Sequence, residues 1–302
     1  MNLQNQFDKS YFALKDDVGA VWIDRDFIKI SGKDSSIYLQ GQLTQNIDLV
    51  KVGESVLSFI LEPQGKVDAL VRVTKIDEQQ WLLDTNKGFG QAVVDRLCKY
   101  KLRMKLQIEL LDWKCLGIRG PRSIEFKPTS NNESKIYTLD SSLRTIEGFD
   151  LVGLEIPEPQ NVAMCDPQAW DALRIEAGIP YMGSELNEKT IPAEAEINDL
   201  AISFTKGCYT GQELVARIDS RGNNVPKKLR GIIIDSSLEV PIGAVVNLEG
   251  EQVGTISSSS YSSQKQKYIG LAYLKRNVPS VAEVVVTWDD EQAPAISTTV
   301  PF

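Results

Sequence analysis

Residues 203–222 read SFTKGCYTGQELVARIDSRG, and the rest of the chain is best read outward from them. Gly207 and Gly211 bracket Cys208, Tyr209 and Thr210. Glycines so placed let a backbone turn sharply or approach a ligand closely. Residues 212–219, QELVARID, carry a helical pattern. Cys208 is therefore expected in a loop just before a helix N-terminus, where the dipole and free amides stabilise a thiolate and Lys206 adds a nearby cation. The alternative is that Cys208 is a small buried hydrophobe, as an isolated cysteine usually is. Cys98 falls on an apolar helix, Cys115 in an expected strand and Cys165 just before a helix cap, and no two cysteines are spaced as C-x-x-C.

The chain around this segment has 302 residues, which predicts about two domains. It has no histidine, which excludes Ser-His-Asp and Cys-His nucleophile pairs in their usual forms and the commonest neutral metal ligand. Proton transfer would rest on Asp, Glu, Lys, Tyr, Cys or water. A net charge of −8 argues against broad electrostatic binding to nucleic acid or an anionic membrane. The N-terminus has no signal-peptide core, and no run approaches the ~18 apolar residues of a membrane span. These features predict a cytoplasmic protein with reduced thiols, no membrane partner and no direct nucleic-acid partner.

Upstream, 18–31 (VGAVWIDRDFIKIS) alternates as one or two strands, and Asp34 stands as N-cap to a short helix with Ile37, Leu39 and Leu43 on its apolar face. Residues 55–61, 67–76 and 81–85 read as strands, with EPQGK as a tight turn between the first two. A helix is expected over 88–105, its stripe Phe89, Val93, Leu97 and Tyr100, its C-terminal end basic. PTSNNESK, 128–135, is a surface loop by composition. Asp166, Pro167 and Gly178 predict the N-cap, first turn and C-terminal stop of another helix. From Lys228 onward five short strand-like runs suggest a small antiparallel barrel or sandwich, with SSSSYSSQKQK as a flexible hairpin tip.

The segment K-G-C-Y-T-G-Q-E, Lys206 to Glu213, resembles the signature of the YgfZ family of folate-binding proteins, related to the T-protein (aminomethyltransferase) of the glycine cleavage system. YLQGQLTQNI at 38–47, LEPQGKVDALVRV at 61–73, LRIEAGIP at 173–180, IPAEAEIND at 191–199 and GLAYLKR at 270–276 agree with its other motifs in order and spacing. The resemblance implies an α+β fold: two intertwined folate-binding α+β domains over 1–225, split near 110–120, and a C-terminal antiparallel β-barrel over 226–302. It implies tetrahydrofolate or a derivative in a central hole. It also implies a role in assembling or repairing iron–sulfur clusters in client enzymes, tRNA-modifying ones included, by a protein expected to be a monomer.

The same resemblance suggests Cys208 and Lys206 as the reactive pair, and Glu194 as the carboxylate that takes the pterin donors in parallel. Arg174, Lys206, Arg217 and Arg221 are cations available for the anionic tail, and Tyr209 and Tyr181 are flat rings for stacking. Asp68 is a further folate contact, in the hairpin where T-proteins carry an aspartate pair. Here that segment has a single Asp, and a cysteine stands where T-proteins have an acid. Both departures weaken the competing reading, a folate-dependent aminomethyl or methyl transferase or demethylase.

Overall fold

The computed structural model describes residues 3–128 and 135–302, so PTSNNESK lies outside the described residues except at its two ends. The first helix, α1 (Leu3–Asp16), leads into β1 (Gly19–Trp22), β2 (Arg25–Ser31), α2 (Ser35–Gln42), β3 (Ser55–Leu61), β4 (Val67–Asp77) and β5 (Gln80–Asn86). Next come α3 (Gly90–Tyr100), β6 (Gln107–Leu111), β7 (Lys114–Arg119), β8 (Tyr137–Asp140), β9 (Gly148–Gly153) and β10 (Ala163–Met164). Helices α4 (Pro167–Glu176), α5 (Asn198–Ala201) and α6 (Gln212–Asp219) follow. The last six strands are β11 (Lys227–Ile234), β12 (Val245–Leu248), β13 (Glu251–Ser262), β14 (Lys267–Lys275), β15 (Ala282–Trp288) and β16 (Glu291–Thr298).

The fold is α+β. Strands β2 to β6 form one sheet in the order β3-β4-β5-β2-β6, and a second sheet runs β10-β1-β7-β9-β8. The chain passes between them at 23–24 and again at 112–113, so the sheet over 25–111 is inserted into the other. A single cut near 110–120 would strip β1 and α1 from the sheet they join. The last six strands close into an antiparallel barrel, β11-β14-β13-β12-β15-β16. Among the described residues no helix is long and apolar enough to cross a membrane.

Local chemistry explains where the structure departs from the sequence pattern. The helix over 88–105 ends at Tyr100, because Leu102 takes a left-handed φ of 48° and turns the chain toward β6. Only Lys99 of the basic group therefore lies in its last turn. In α2, Leu39 is buried but Ile37 is exposed, and Asp34 receives Lys105 N (2.7 Å) instead of capping the helix with its side chain. The sixth barrel strand, EQAPAIST, is broken in sequence by Pro294, which pairs with Val285 while Ala293, Ala295 and Ser297 face inward. The serine run is no flexible tip: Ser257 to Ser262 belong to β13. Ser257 and Ser258 each donate to Glu185 Oε1 at 2.6 Å, and Ser262 donates to Glu176 Oε1 at 2.6 Å. Strand β13 thus solvates two buried carboxylates beneath α4, which a core otherwise rejects.

Candidate functional site

Two of the matched motifs, 38–47 and the turn 62–66, meet the loop that carries Cys208. Lys206 is buried, and its Nζ donates to the carbonyls of Gln40 (2.7 Å), Leu43 (2.7 Å) and Gln45 (2.9 Å). An ammonium has three donors, so all are engaged. Burial pulls its pKa down to about 8. Thr210 N donates to Gly41 O (3.1 Å) and Ser203 N to Thr44 O (3.0 Å), tying both ends of the loop to residues 38–47. Gly211 has φ 83°, and a Cβ there would meet Glu62 O at 2.6 Å and Leu61 Cβ at 2.8 Å. The turn 62–66 therefore packs directly against the start of α6, and only glycine fits.

On this anchored loop Cys208 is exposed, as is Cys98 on α3, while Cys115 and Cys165 are buried. Helix α6 begins at Gln212, with Gly211 as N-cap, so Cys208 stands three residues before the cap. What the fold supplies to Cys208 is access and a fixed backbone. The Lys206 ammonium holds the loop to the C-terminal end of α2. Tyr209 points into the core, where burial pushes its pKa up to about 12, and Lys206 Nζ lies 5.3 Å from its ring.

The other candidates separate. Glu194 is buried in the 3₁₀ turn Pro192–Ala195, and its Oε2 accepts Ile191 N (3.2 Å). Burial raises its pKa, opposed by that N–H and by Lys227 and Lys66. Arg174 is buried with its guanidinium engaged by Asp171 (2.6 Å), Ser258 (2.8 Å), Ile179 O (3.2 Å) and Glu185 (3.4 Å). Asp68 accepts from Arg96 Nε (2.7 Å), while Arg96 Nη1 and Nη2 donate to Gln42 Oε1 and Leu61 O. Arg217 is exposed on α6 near Glu213 (3.6 Å), and Arg221 lies past the helix end, so the two do not share a helical face.

None of these residues lines the cleft of about 140 Å³ between the two sheets; Tyr181 does. Its walls include Arg25, Leu57, Leu70, Arg72 and Asn86 from the inserted sheet, Arg119 and Asp150 from β7 and β9, and Trp170 from α4. The charged groups form an alternating chain. Arg25 pairs with Asp84, Asp84 with Arg72 (2.8 Å), Arg72 with Asp150 (2.6 Å) and Asp150 with Arg119 (2.5 Å). Burial alone would raise the Asp150 carboxyl; Arg119 and Arg72 beside it hold it well below the usual carboxylate range. Trp170 Nε1 donates to the Tyr181 hydroxyl (3.0 Å), and the Arg119 guanidinium lies 4.8 Å from the Trp170 ring. Burial raises the Tyr181 pKa. The sequence carried one partial signal for this site: charged residues inside apolar strands, as in LVRV and WLLDT.

Residues 25–134 match the family described as GCVT N-terminal domain, and 227–302 match the glycine cleavage T-protein C-terminal barrel domain. The tRNA-modifying protein YgfZ of Hamiltonella defensa is 31% identical over 251 residues, 76% of this chain and 74% of that protein. A mitochondrial iron–sulfur cluster assembly factor homologue of Aspergillus oryzae is 29% identical over 238 residues, 66% of this chain and 53% of that protein. The crystal structure of the glycine cleavage system aminomethyltransferase T from Bartonella henselae superposes with a TM-score of 0.84, covering 98% of this chain and 89% of that one at 18% identity. By these matches the chain belongs to the YgfZ family and has the fold of the glycine cleavage T-protein.

Proposed function

We propose that this protein binds a folate, tetrahydrofolate or a derivative, in the cleft between its sheets and assists iron–sulfur cluster assembly or repair in client enzymes, tRNA-modifying ones among them, through Cys208. The names of its relatives, a tRNA-modifying protein and an iron–sulfur cluster assembly factor, support the role. The observation that carries it is the exposed Cys208 thiol on a loop whose backbone is fixed by Lys206, Thr210 and Gly211. An exposed thiol is a source of the thiolate that ligates metal or attacks sulfur. A [4Fe–4S] cluster usually takes four thiolates. Two of the four cysteines here are buried in the core, so a cluster touched by Cys208 draws its remaining ligands from the client.

The cleft suits a folate. Trp170 and Tyr181 offer flat rings, Asn86 an amide, and the buried nitrogens Arg72 Nη2 and Arg119 Nε lack partners. Bound there, a tetrahydrofolate supplies a one-carbon acceptor or an electron-rich pterin; the residues hold and orient it. Glu194, buried in the turn Pro192–Ala195 outside the lining of this cleft, is the carboxylate that the resemblance names for pterin donors. The pairing of Asp68 with Arg96 weighs against the aminomethyltransferase reading, because it engages that carboxylate within the chain.

A deletion strain complemented with wild type or Cys208→Ala, scored for activity of iron–sulfur enzymes, tests the proposal. The variant is expected to accumulate folded and fail to complement. Full complementation by Cys208→Ala removes the thiol from the function.

A further inference from the structure

We propose that Arg72, Arg119 and Ser141 form an anion site in the wall of the central cleft, which takes a carboxylate group of the ligand bound there. The inference rests on the folate reading for the identity of that ligand, but not for the existence of the site. Its basis is what the cleft's charged groups leave over.

Three arginines, Arg25, Arg72 and Arg119, line the cleft against two buried aspartates, Asp84 and Asp150. One positive charge is uncompensated among them. A third acid, Asp140, lines the rim, but it is exposed and its carboxylate receives Ser142 N (3.0 Å). The donors left over line the same cleft, Arg72 from the inserted sheet and Arg119 from the other. Arg72 uses Nε on Asp84 and Nη1 on Asp150, while its Nη2 is buried with no partner. Arg119 is 2% exposed; its Nη1 and Nη2 serve Phe149 O and Asp150, while its Nε has none. The Ser141 hydroxyl is the third cleft-lining group buried without a partner.

A buried donor left unsatisfied costs about 1–3 kcal/mol. Holding the two sheets together explains the Arg72–Asp150 pair, but it does not explain why donors from three separate residues go unused in one cavity. An oxyanion answers all of them, because it accepts several hydrogen bonds and cancels the spare charge. A folate carries such groups on its glutamate. The structure thus offers the anionic tail Arg72 and Arg119 in place of Arg174 and Lys206, whose donors are engaged elsewhere.

The test compares, by calorimetry, 5-formyltetrahydrofolate with the corresponding 5-formyltetrahydropteroyl amide, in which a neutral amide replaces the glutamate and leaves no carboxylate, in wild type, Arg72→Lys and Ser141→Ala. In wild type the glutamate-bearing compound is expected to bind about tenfold tighter, as one or two charge-assisted hydrogen bonds would give. Arg72→Lys should abolish that advantage and leave binding of the amide unchanged. Ser141→Ala, which touches no ion pair and covers the case in which Arg72→Lys misfolds, should reduce it about threefold, a weaker single bond. Equal binding of the two compounds by wild type, or equal weakening of both in the variants, overturns the anion site while the folate reading stands. If neither compound gives heat, the folate reading falls, and inorganic phosphate decides the anion site alone. A melting temperature raised by phosphate in wild type and not in Ser141→Ala supports it, and no difference between the two overturns it.

Discussion

The loop carrying Cys208 and the central cleft reach order by opposite means. The loop is held by carbonyls around one ammonium, by backbone N–H groups and by a glycine packed against another turn, and it leaves its thiol exposed. The cleft is held by full charges in an alternating chain across two sheets, and it leaves donors unused. A loop of the first kind presents a reactive atom to a partner. A wall of the second kind keeps a hollow open, because buried charges that satisfy one another resist collapse. The difference makes the cleft the more fragile to single substitutions and the loop the more fragile to backbone changes.

The largest expected effect is therefore in the cleft. Asp150→Asn removes a carboxylate shared by Arg72 and Arg119 and should destabilise the fold by about 3–5 kcal/mol in urea titrations at pH 7. Its pH dependence sharpens the point. The wild-type carboxyl titrates in the folded state well below its unfolded value of about 4. Its contribution is thus fully present above pH 4 and is lost as pH falls further, since the unfolded chain then binds the extra proton. The gap between wild type and Asp150→Asn should narrow by about 1 kcal/mol at pH 3. A gap as wide at pH 3 as at pH 7 would mean that the Arg72–Asp150–Arg119 chain does not carry the cleft.

The two regions also differ in how far the sequence discloses them. The loop was readable because its chemistry is contiguous: K-G-C-Y-T-G-Q-E carries its own anchor, thiol and turn within eight residues. Likewise α4 announces itself, since Asp166 caps it with Gln168 N (2.9 Å), Pro167 opens it and Gly178 closes it at φ 63°. The cleft's ion chain draws on residues 25, 72, 84, 119 and 150 from five strands. In sequence each is an isolated charge in an apolar run, and only the insertion of one sheet into the other brings them together. The serines of β13 misled for the same reason: their partners, Glu176 and Glu185, lie about 80 positions away. Arg174 is one of the cations available near the matched motifs, but a motif names a position, and the partners of that position, Asp171, Ser258 and Glu185, come from the fold.

In the loop the next largest effect falls on backbone geometry. Gly211→Ala forces a Cβ onto Glu62 O in a left-handed conformation and should lower stability by about 2 kcal/mol in thermal or urea melts. Gly207→Ala, one residue before the thiol, has nothing within 4 Å of its Cβ and no left-handed φ. Its effect should stay within about 0.5 kcal/mol. Similar losses in both variants would dissolve the distinction between an anchored turn and a free one.

A smaller effect than that of Gly211→Ala is the most discriminating. Lys206→Met leaves three carbonyls without a donor, yet it also removes an ammonium whose burial opposes charge. The two changes offset, and the net loss at pH 7 should be about 1 kcal/mol. The sign with pH follows from the proton count. Lys206 loses its proton near pH 8 when folded but near 10.4 when unfolded, so between these values the unfolded chain holds more protons and rising pH favours the folded wild type. Lys206→Met lacks this term. Urea titrations at pH 7, 8.5 and 10 should therefore show wild type gaining on the variant as pH rises. A gap that shrinks instead would mean that the carbonyls hold the ammonium charged against its burial, and that the loop, like the cleft, is fixed by a full charge.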